Sequence, residues 1–323
     1  MRRSLCSVFL LGMALSAPAF AQEAESSSAA SSATSVRVNM QNNMEVLGDF
    51  TLGPARFLLP MGTGSVQTVE VQLTNRTGDE AVFLLHTEDF ASDQDEESTP
   101  RFFEQGTEGP YPARLWVEPE TDRIRLRHGE RAFVRVTVRV PDDAEPGDHQ
   151  AAVIVSQENA GTGRSGFIIQ SRVASLFVIT VAGDVDRRGT IESLQSRHHL
   201  NWSYPVHLRL RARNDGNVHI APIGSVEVRN IFGVPVDEIP VRDWIILRDA
   251  ARPFDFAWNP RFALGYYTAT ANLTIAGAAT DPVSVSFWVI PLLPVLIVLL
   301  AIFLVSFLVQ YFFSRFEISR KRD

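Results

Sequence analysis

An acidic segment contains the densest group of side chains able to do chemistry. Residues 88–97 read EDFASDQDEE, and carboxylates are the hard oxygen ligands that Ca²⁺ prefers. The segment lacks the glycine and the ligand spacing of an EF-hand loop, so a solvated acidic loop is the favoured interpretation and a calcium site the alternative. The carboxylates concerned are Asp89, Asp93, Asp95, Glu96 and Glu97.

Histidine and serine are weaker candidates for chemistry. His198 and His199 are adjacent, and neighbours on a strand point to opposite faces, so they are poorly placed to share one metal ion. Ser165 lies in GTGRSG, which lacks the G-x-S-x-G frame of a nucleophile elbow. The chain has no phosphate-binding loop motif, no G-x-G-x-x-G and no H-E-x-x-H. We therefore predict a non-enzymatic protein with no catalytic residue, cofactor, bound metal or small-molecule substrate.

The first 21 residues have the form of a secretory signal. Two arginines precede an apolar run, and Ala-Phe-Ala at residues 19–21 is a small-x-small cleavage site. We predict a signal peptide at residues 1–21 and a Ser/Ala-rich disordered leader at residues 22–35. The single cysteine, Cys6, lies in the signal, so the mature protein is expected to contain no disulfide.

A second apolar segment lies near the C-terminus. Residues 291–314 carry no charge and, as a helix, are long enough to span about 30 Å of hydrocarbon. Trp288 and Tyr311 are expected at the two membrane interfaces. The basic tail at residues 315–323 predicts a single-pass type I protein of the cell membrane, with an extracellular or periplasmic ectodomain. The basic residues of this tail are Arg315, Arg320, Lys321 and Arg322.

The net charge of −7 is unevenly distributed along the chain. The predicted signal and tail each carry +2, which leaves the predicted ectodomain with 24 basic and 35 acidic residues and a net charge of −11. A surface of this sign does not neutralise phosphates, so nucleic acid is not expected as a partner.

Between the two apolar ends, apolar and polar residues alternate with a period of two, which is typical of half-buried antiparallel strands. Clusters of turn residues separate these runs, and no long amphipathic helical pattern occurs. The pattern predicts a mainly β protein with two tandem Ig-like β-sandwiches, at residues 36–183 and 187–289, followed by one transmembrane α-helix. The clearest apolar rows are Val134, Val136, Val138 and Val140, and Val206, Leu208, Leu210 and Ala212.

Aromatic and turn residues in the second predicted sandwich have expected structural roles. One of Tyr266 and Tyr267 is expected to form a tyrosine corner, and Asn214 is expected to shape a turn. Most members of a dense aromatic group should lie in the core, with Trp244 or Phe262 as candidates for an exposed patch or the membrane surface. This group comprises Trp244, Phe254, Phe256, Trp258 and Phe262.

Two stretches resemble known bacterial surface proteins. The stretch LWVEPETDRIRLRHGERAFVRVTVRVPDDAEPGDHQAAVIV resembles the N-terminal domain of WxL-interacting surface proteins, which is Ig-like and related in shape to PapD-type pilus chaperones. The stretch RARNDGNVHIAPIGSVEVRN is similar to the membrane-proximal β-domain of bacterial proteins with the same plan of signal, two β-domains, helix and basic tail. The resemblance implies a protein that binds, with peptidoglycan and a surface protein as its partners, and it implies no catalytic residue.

The function predicted from these patterns is binding by a membrane-anchored envelope protein, whose partner is an envelope polymer such as peptidoglycan or another envelope protein. An open strand edge is one expected contact, and the long segment from Phe90 to Pro112 is another, because such loops are often functional. An accessory subunit of a membrane secretion or transport complex is the alternative. The candidate loop residues are Asp93, Asp95, Glu96, Glu97, Phe102 and Phe103.

Overall fold

The computed structural model of the chain describes residues 36–41, 43–92, 99–104, 106–158 and 171–315. These residues form two successive β-sandwiches and one long C-terminal helix. The predicted fold class, mainly β with tandem sandwiches, is therefore confirmed. The predicted signal, the leader and the basic residues Arg320, Lys321 and Arg322 lie outside the described residues.

The N-terminal sandwich consists of two facing sheets. One has the strand order β1-β9-β4-β2, with β7 also paired to β9, and the other has the order β3-β11-β10-β5-β6, with β8 also paired to β5. The strands are β1 (Arg37–Met40), β2 (Asp49–Gly53), β3 (Arg56–Met61), β4 (Val66–Arg76), β5 (Ala81–Ser92), β6 (Pro100–Phe102), β7 (Val117–Pro119), β8 (Arg123–Leu126), β9 (Glu130–Arg139), β10 (Gly147–Gln157) and β11 (Arg172–Val181).

Alternating residues of these strands build the N-terminal core. Val134, Val136 and Val138 of β9 are fully buried, as the alternation predicts, and they face the opposite sheet. Each buried valine stabilises the fold by about 1.5–3 kcal/mol relative to an exposed one. The ring of Phe50 lies 5.0 Å from that of Phe83, which joins the two sheets.

The C-terminal sandwich packs a three-stranded sheet against a larger one. The small sheet has the order β12-β14-β17, and the large one has the order β13-β20-β18-β15-β16, with β19 also paired to β18. The strands are β12 (Gly189–Ser196), β13 (Leu200–Asn201), β14 (Val206–Asn214), β15 (Ile223–Asn230), β16 (Pro235–Val241), β17 (Ala251–Trp258), β18 (Gly265–Ile275), β19 (Ala278–Ala279) and β20 (Val283–Val289).

Aromatic residues fill the C-terminal core. The ring of the buried Trp258 lies 5.0 Å from that of Tyr267. The Tyr267 hydroxyl also bonds the backbone of Leu264, which confirms the predicted tyrosine corner and assigns it to Tyr267. Trp244 is buried, whereas Phe262 is 65% exposed, so of the two candidates Phe262 lies on the surface.

Each sandwich contains a buried asparagine that closes a turn. Asn75, near the end of β4, donates from Nδ2 to the carbonyls of Asp79 and Leu126. Asn214, at the end of β14, donates in the same way to Val218 and Ile246. The predicted role of Asn214 in turn geometry is confirmed.

The helix α1 (Leu292–Arg315) follows β20 after two residues. It is long and apolar enough to cross a membrane by length and composition, and none of its residues is buried against the sandwiches. Trp288 precedes the helix, and near its C-terminal end the Arg315 guanidinium lies 5.6 Å from the Tyr311 ring centroid.

The strands of the two sandwiches are separated by a polar stretch. β11 ends at Val181 and β12 begins at Gly189, with residues 182–188 between them. The domain boundaries at residues 36–183 and 187–289 remain predictions.

Candidate functional site

The predicted binding loop is described in part. Asp93, Asp95, Glu96 and Glu97 lie outside the described residues, as does Ser165. Phe102 is 37% exposed, and its ring lies 6.2 Å from that of the buried Phe90. Phe103 is half-buried, and the Arg101 guanidinium lies over its ring at 5.5 Å from the ring centroid.

Asp89 binds the backbone of the segment that follows this loop. Its side chain is fully buried, and it accepts backbone hydrogen bonds from Gly109 (3.2 Å), Ala113 (2.9 Å) and Arg114 (2.8 Å). These donors engage both carboxylate oxygens, so the interpretation of Asp89 as part of a solvated loop is wrong. A calcium site in the acidic segment stays a prediction, because its other carboxylates lie outside the described residues. In the part of the chain that the structure describes, no three His, Cys, Asp or Glu residues group in a way that could hold a metal ion.

The histidines differ in their surroundings. His198 and His199 are exposed and lie in the loop between β12 and β13, so the assumption that they share a strand is wrong. His219 instead contacts the N-terminal sandwich, where its Nδ1 lies 2.8 Å from Oδ2 of Asp148.

Asp148 is the centre of a polar contact between the sandwiches. Its carboxylate is fully buried and accepts hydrogen bonds from Thr180 Oγ1 (2.6 Å) and from the backbone and ring N–H groups of His219. Its own backbone N–H donates to the carbonyl of Asn217 (2.9 Å). The two sandwiches are thus joined through groups that would be costly to leave unpaired. We call this region of contact the seam.

A second polar contact of the seam involves Tyr111. Its hydroxyl donates to Oδ2 of Asp249, and the Arg248 guanidinium stacks 4.0 Å from its ring centroid. Burial raises the pKa of Tyr111, and the hydrogen bond to Asp249 raises it further. Nη2 of Arg248 also lies 3.5 Å from the Glu145 carboxylate, which adds an ion pair between the sandwiches.

Apolar packing completes the seam. Leu247 of the C-terminal sandwich packs against a small cluster of the N-terminal sandwich, which contains Phe90, Ala152, Ile154 and Val178. These contacts place two strand ends beside each other, the start of β3 and the start of β17.

A cleft with two arginines opens beside this cluster. It has a volume of about 110 Å³, and Arg56 of β3 and Arg252 of β17 line it together with Phe90 and Leu176. Nη1 of Arg252 donates to the Ile245 carbonyl at 2.7 Å. Burial lowers the pKa of Arg252, and the positive charge of Arg56 lowers it further. Among the described residues, no carboxylate pairs with these two guanidiniums. We call this cavity the arginine cleft.

An open strand edge borders the arginine cleft. Within the described residues β3 pairs with β11 alone, so it presents unpaired backbone groups on its other side. Such edges accept an additional extended strand. The arrangement can therefore hold an anionic group between the guanidiniums and an extended chain along an edge.

A wider groove of about 780 Å³ lies on the outer face of β12, β14 and β17. There Nε of Arg209 lies 2.7 Å from Oδ1 of Asp255, so these two charges compensate each other within the chain. The arginine cleft is the stronger candidate site.

The sequence patterns did not identify the arginine cleft. Arg56 and Arg252 are isolated arginines in strands of different sandwiches, and nothing in their local sequence marks them. Asp148 carries a faint signal, because a carboxylate stands at the start of the run GDHQAAVIV, whose second half is apolar.

No protein-family model matches the sequence, and no curated protein matches it either. Solved structures similar to the chain are fimbrial chaperones at low identity. The class 5 fimbriae chaperone CfaA is 12% identical with a TM-score of 0.36, over 75% of this chain and all of that one. The E. coli chaperone DraB is 12% identical with a TM-score of 0.34, over 73% of this chain and 97% of that one.

A PapD-like domain of human CEP192 is 12% identical with a TM-score of 0.29, over 44% of this chain and 90% of that one. All three TM-scores are below 0.5. The fold and the seam define a protein of two joined Ig-like sandwiches with a C-terminal apolar helix. The resemblance to WxL-interacting proteins stays a prediction.

Proposed function

We propose that the protein is a non-enzymatic, membrane-anchored cell-envelope protein. Its ectodomain binds an envelope polymer such as peptidoglycan, or a partner protein, through carboxylate groups held in the arginine cleft. One observation carries the proposal: Arg56 and Arg252 line one cleft, and no described carboxylate compensates them.

Two guanidiniums beside each other favour an anionic ligand. Their mutual repulsion is relieved when a carboxylate lies between them, and guanidinium binds carboxylate through paired hydrogen bonds. Carboxylates terminate protein chains and occur in peptidoglycan peptides, so both partner classes present the required group. The apolar lining at Phe90 and Leu176 favours a ligand with an aliphatic side chain next to its carboxylate.

Anchoring is assigned to α1. The helix has 24 residues, all outside the sandwich cores, and a basic tail follows it in the sequence. The predicted type I arrangement places the sandwiches outside the cytoplasm, where envelope polymers are accessible. The cleft-lining residues Ser92 and Pro100 flank the acidic stretch that contains Asp93, Asp95, Glu96 and Glu97, and with Phe102 and Phe103 this loop belongs to the proposed binding surface.

Crosslinking in native envelopes tests the proposal. A photoreactive residue at Leu58, which is 39% exposed on the open edge of β3, is activated in the full-length protein. We expect Arg56→Gln combined with Arg252→Gln to lower adduct formation several-fold. Arg127→Gln with Arg242→Gln is the matched control, since it removes one exposed arginine from each sandwich outside the cleft.

The identity of the adduct distinguishes the partner classes. Glycan-containing adducts indicate an envelope polymer, and a single protein band indicates a partner protein. Adducts to multispanning membrane proteins would favour the accessory-subunit alternative. Equal adduct yields from the cleft variant and the wild type would reject the arginine cleft as the binding site.

A further inference from the structure

The end of the C-terminal sandwich from which α1 leaves is well defined by strand register. Gly265 of β18 pairs with Val289 of β20, and Asn230 of β15 pairs with Tyr267 of β18. The Leu292 N–H at the start of α1 donates to the Trp202 carbonyl at 3.1 Å. Four connecting segments therefore meet beside the first turn of the helix: residues 197–205, 230–234, 259–264 and 289–292.

Large apolar side chains project from this end, and we call them the helix-end rim. Phe232, at the tip of the β15–β16 hairpin, is 87% exposed. Exposed apolar side chains grouped at loop tips forgo the stabilisation that burial provides, and such patches mark interaction surfaces. The members and their exposures are Trp202 49%, Ile231 64%, Phe232 87%, Phe262 65%, Leu264 51% and Trp288 47%.

The charges at the helix-end rim have one sign. The four segments contain Arg197, Arg261 and two histidines, and their sequences contain no aspartate or glutamate. This is unexpected for a predicted ectodomain with a net charge of −11. At the opposite end of the sandwich the connecting segments carry both signs: six aspartates (Asp184, Asp186, Asp215, Asp243, Asp249 and Asp281) and four arginines (Arg187, Arg188, Arg242 and Arg248).

The combination of aromatic, aliphatic and basic side chains fits a lipid surface. Tryptophan and other aromatic rings favour the headgroup region, and arginine favours anionic headgroups. The rim is also continuous with α1. Two residues separate Val289 from Leu292, so the three chain steps between them span at most about 10 Å. A helix that enters the bilayer at Leu292 holds the rim at the depth of the headgroups.

We propose that the helix-end rim is a lipid-contact surface. Its apolar side chains enter the boundary between headgroups and acyl chains, while Arg197 and Arg261 contact lipid phosphates. The C-terminal sandwich thereby contacts the bilayer surface directly, and its orientation relative to the membrane is restricted. This inference rests on the proposed anchoring by α1.

Site-specific fluorescence quenching tests the lipid contact. The full-length protein is labelled with an environment-sensitive dye at a single cysteine, in a Cys6→Ser background, because the chain has no other cysteine. The rim positions are Phe232→Cys and Phe262→Cys. Leu115→Cys, at an 81% exposed apolar residue of the N-terminal sandwich, is the matched control. Leu300→Cys reports on α1 itself.

Each variant is reconstituted in vesicles of phosphatidylcholine and phosphatidylglycerol that carry a nitroxide near the headgroup end of the acyl chain. We expect quenching at positions 232 and 262 to be several-fold stronger than at position 115. Quenching at 300 with none at 232 and 262 overturns the rim proposal and leaves the anchor standing. Absence of quenching at 300 overturns the anchor, and quenching at 232 and 262 alone would then still establish lipid contact.

Discussion

Asp148 and His219 lie on different sandwiches and meet across the seam, with Oδ2 of Asp148 2.8 Å from Nδ1 of His219. The carboxylate is fully buried, whereas the imidazole is 20% exposed. Because the same carboxylate also accepts from Thr180 of β11, it links β10 and β11 of the N-terminal sandwich to the segment between β14 and β15 of the C-terminal one. The position of the arginine cleft depends on this joint, since its two arginines come from different sandwiches.

We predict that Asp148→Ala destabilises the protein by about 2–4 kcal/mol. The substitution leaves the Thr180 hydroxyl and the His219 backbone N–H without acceptors, and each unpaired buried group costs about 1–3 kcal/mol. His219→Ala should cost less, about 1–2 kcal/mol, because Asp148 keeps its other donors. Urea unfolding of the full chain in mild detergent measures both free energies. Additive effects in the double variant would contradict a direct Asp148–His219 interaction, for which coupling of about 0.5–3 kcal/mol is expected.

Gly147→Ala should force the sandwiches apart. Gly147 has φ +124°, and a Cβ there would lie 2.7 Å from the Asn217 carbonyl oxygen of the other sandwich. We expect a loss of stability of at least about 1–3 kcal/mol and a larger radius of gyration in small-angle scattering. Gly48→Ala is the control, since Gly48 also has positive φ but faces open space. An unchanged radius in Gly147→Ala would show that the seam accommodates the methyl group.

The half-buried phenol of Tyr111 predicts an alkaline loss of stability. Its pKa is raised above the ordinary value of 10.0, first by burial and then by Asp249. The native state therefore retains this proton at pH values where the unfolded state releases it. The contribution is complete below pH 10, and the free energy of unfolding falls as pH rises from 10 through the folded pKa.

Tyr111→Phe should flatten this alkaline decline in urea unfolding measured on either side of pH 10. Tyr266→Phe serves as the control, because Tyr266 contacts Trp288 at the far end of the other sandwich. An identical alkaline slope in Tyr111→Phe and the wild type would refute the assignment.

Local sequence patterns predicted the strands well, because the alternation of side chains along a strand follows from backbone geometry. In β9 and β14 every second residue faces a core, so the burial of Val136 and Leu210 follows from side-chain period alone. Tyr267 and Asn214 were also predictable, since each has a hydrogen-bond partner within four residues of it in sequence. The sequence did not show which of Phe262 and Trp244 is exposed. Both lie in connecting segments, where no alternation of side chains indicates the buried face.

The seam could not be predicted because its residues meet only when two sandwiches dock. Arg56 and Arg252 become neighbours through the contact of Leu247 with the Phe90 cluster, which no local pattern encodes. Asp89 illustrates the same limit. In sequence it lies in an acidic run that suggests calcium. In the fold its carboxylate accepts hydrogen bonds from the backbone N–H groups of Ala113 and Arg114.

The paired asparagines offer a last prediction. Asn75 and Asn214 are both fully buried, and each donates through Nδ2 to a carbonyl four residues ahead and to one on a distant segment. Replacement by alanine leaves these carbonyls without a hydrogen-bond donor and creates a cavity. Asn75→Ala and Asn214→Ala should therefore each lower the free energy of unfolding by about 2–4 kcal/mol. Asn230→Ala, in an exposed turn, should cost below about 1 kcal/mol and is the control. Because the two sites lie in separate cores, the double variant should be additive within about 0.5 kcal/mol in urea unfolding. A large coupling energy would instead mean that the seam transmits loosening of one sandwich to the other.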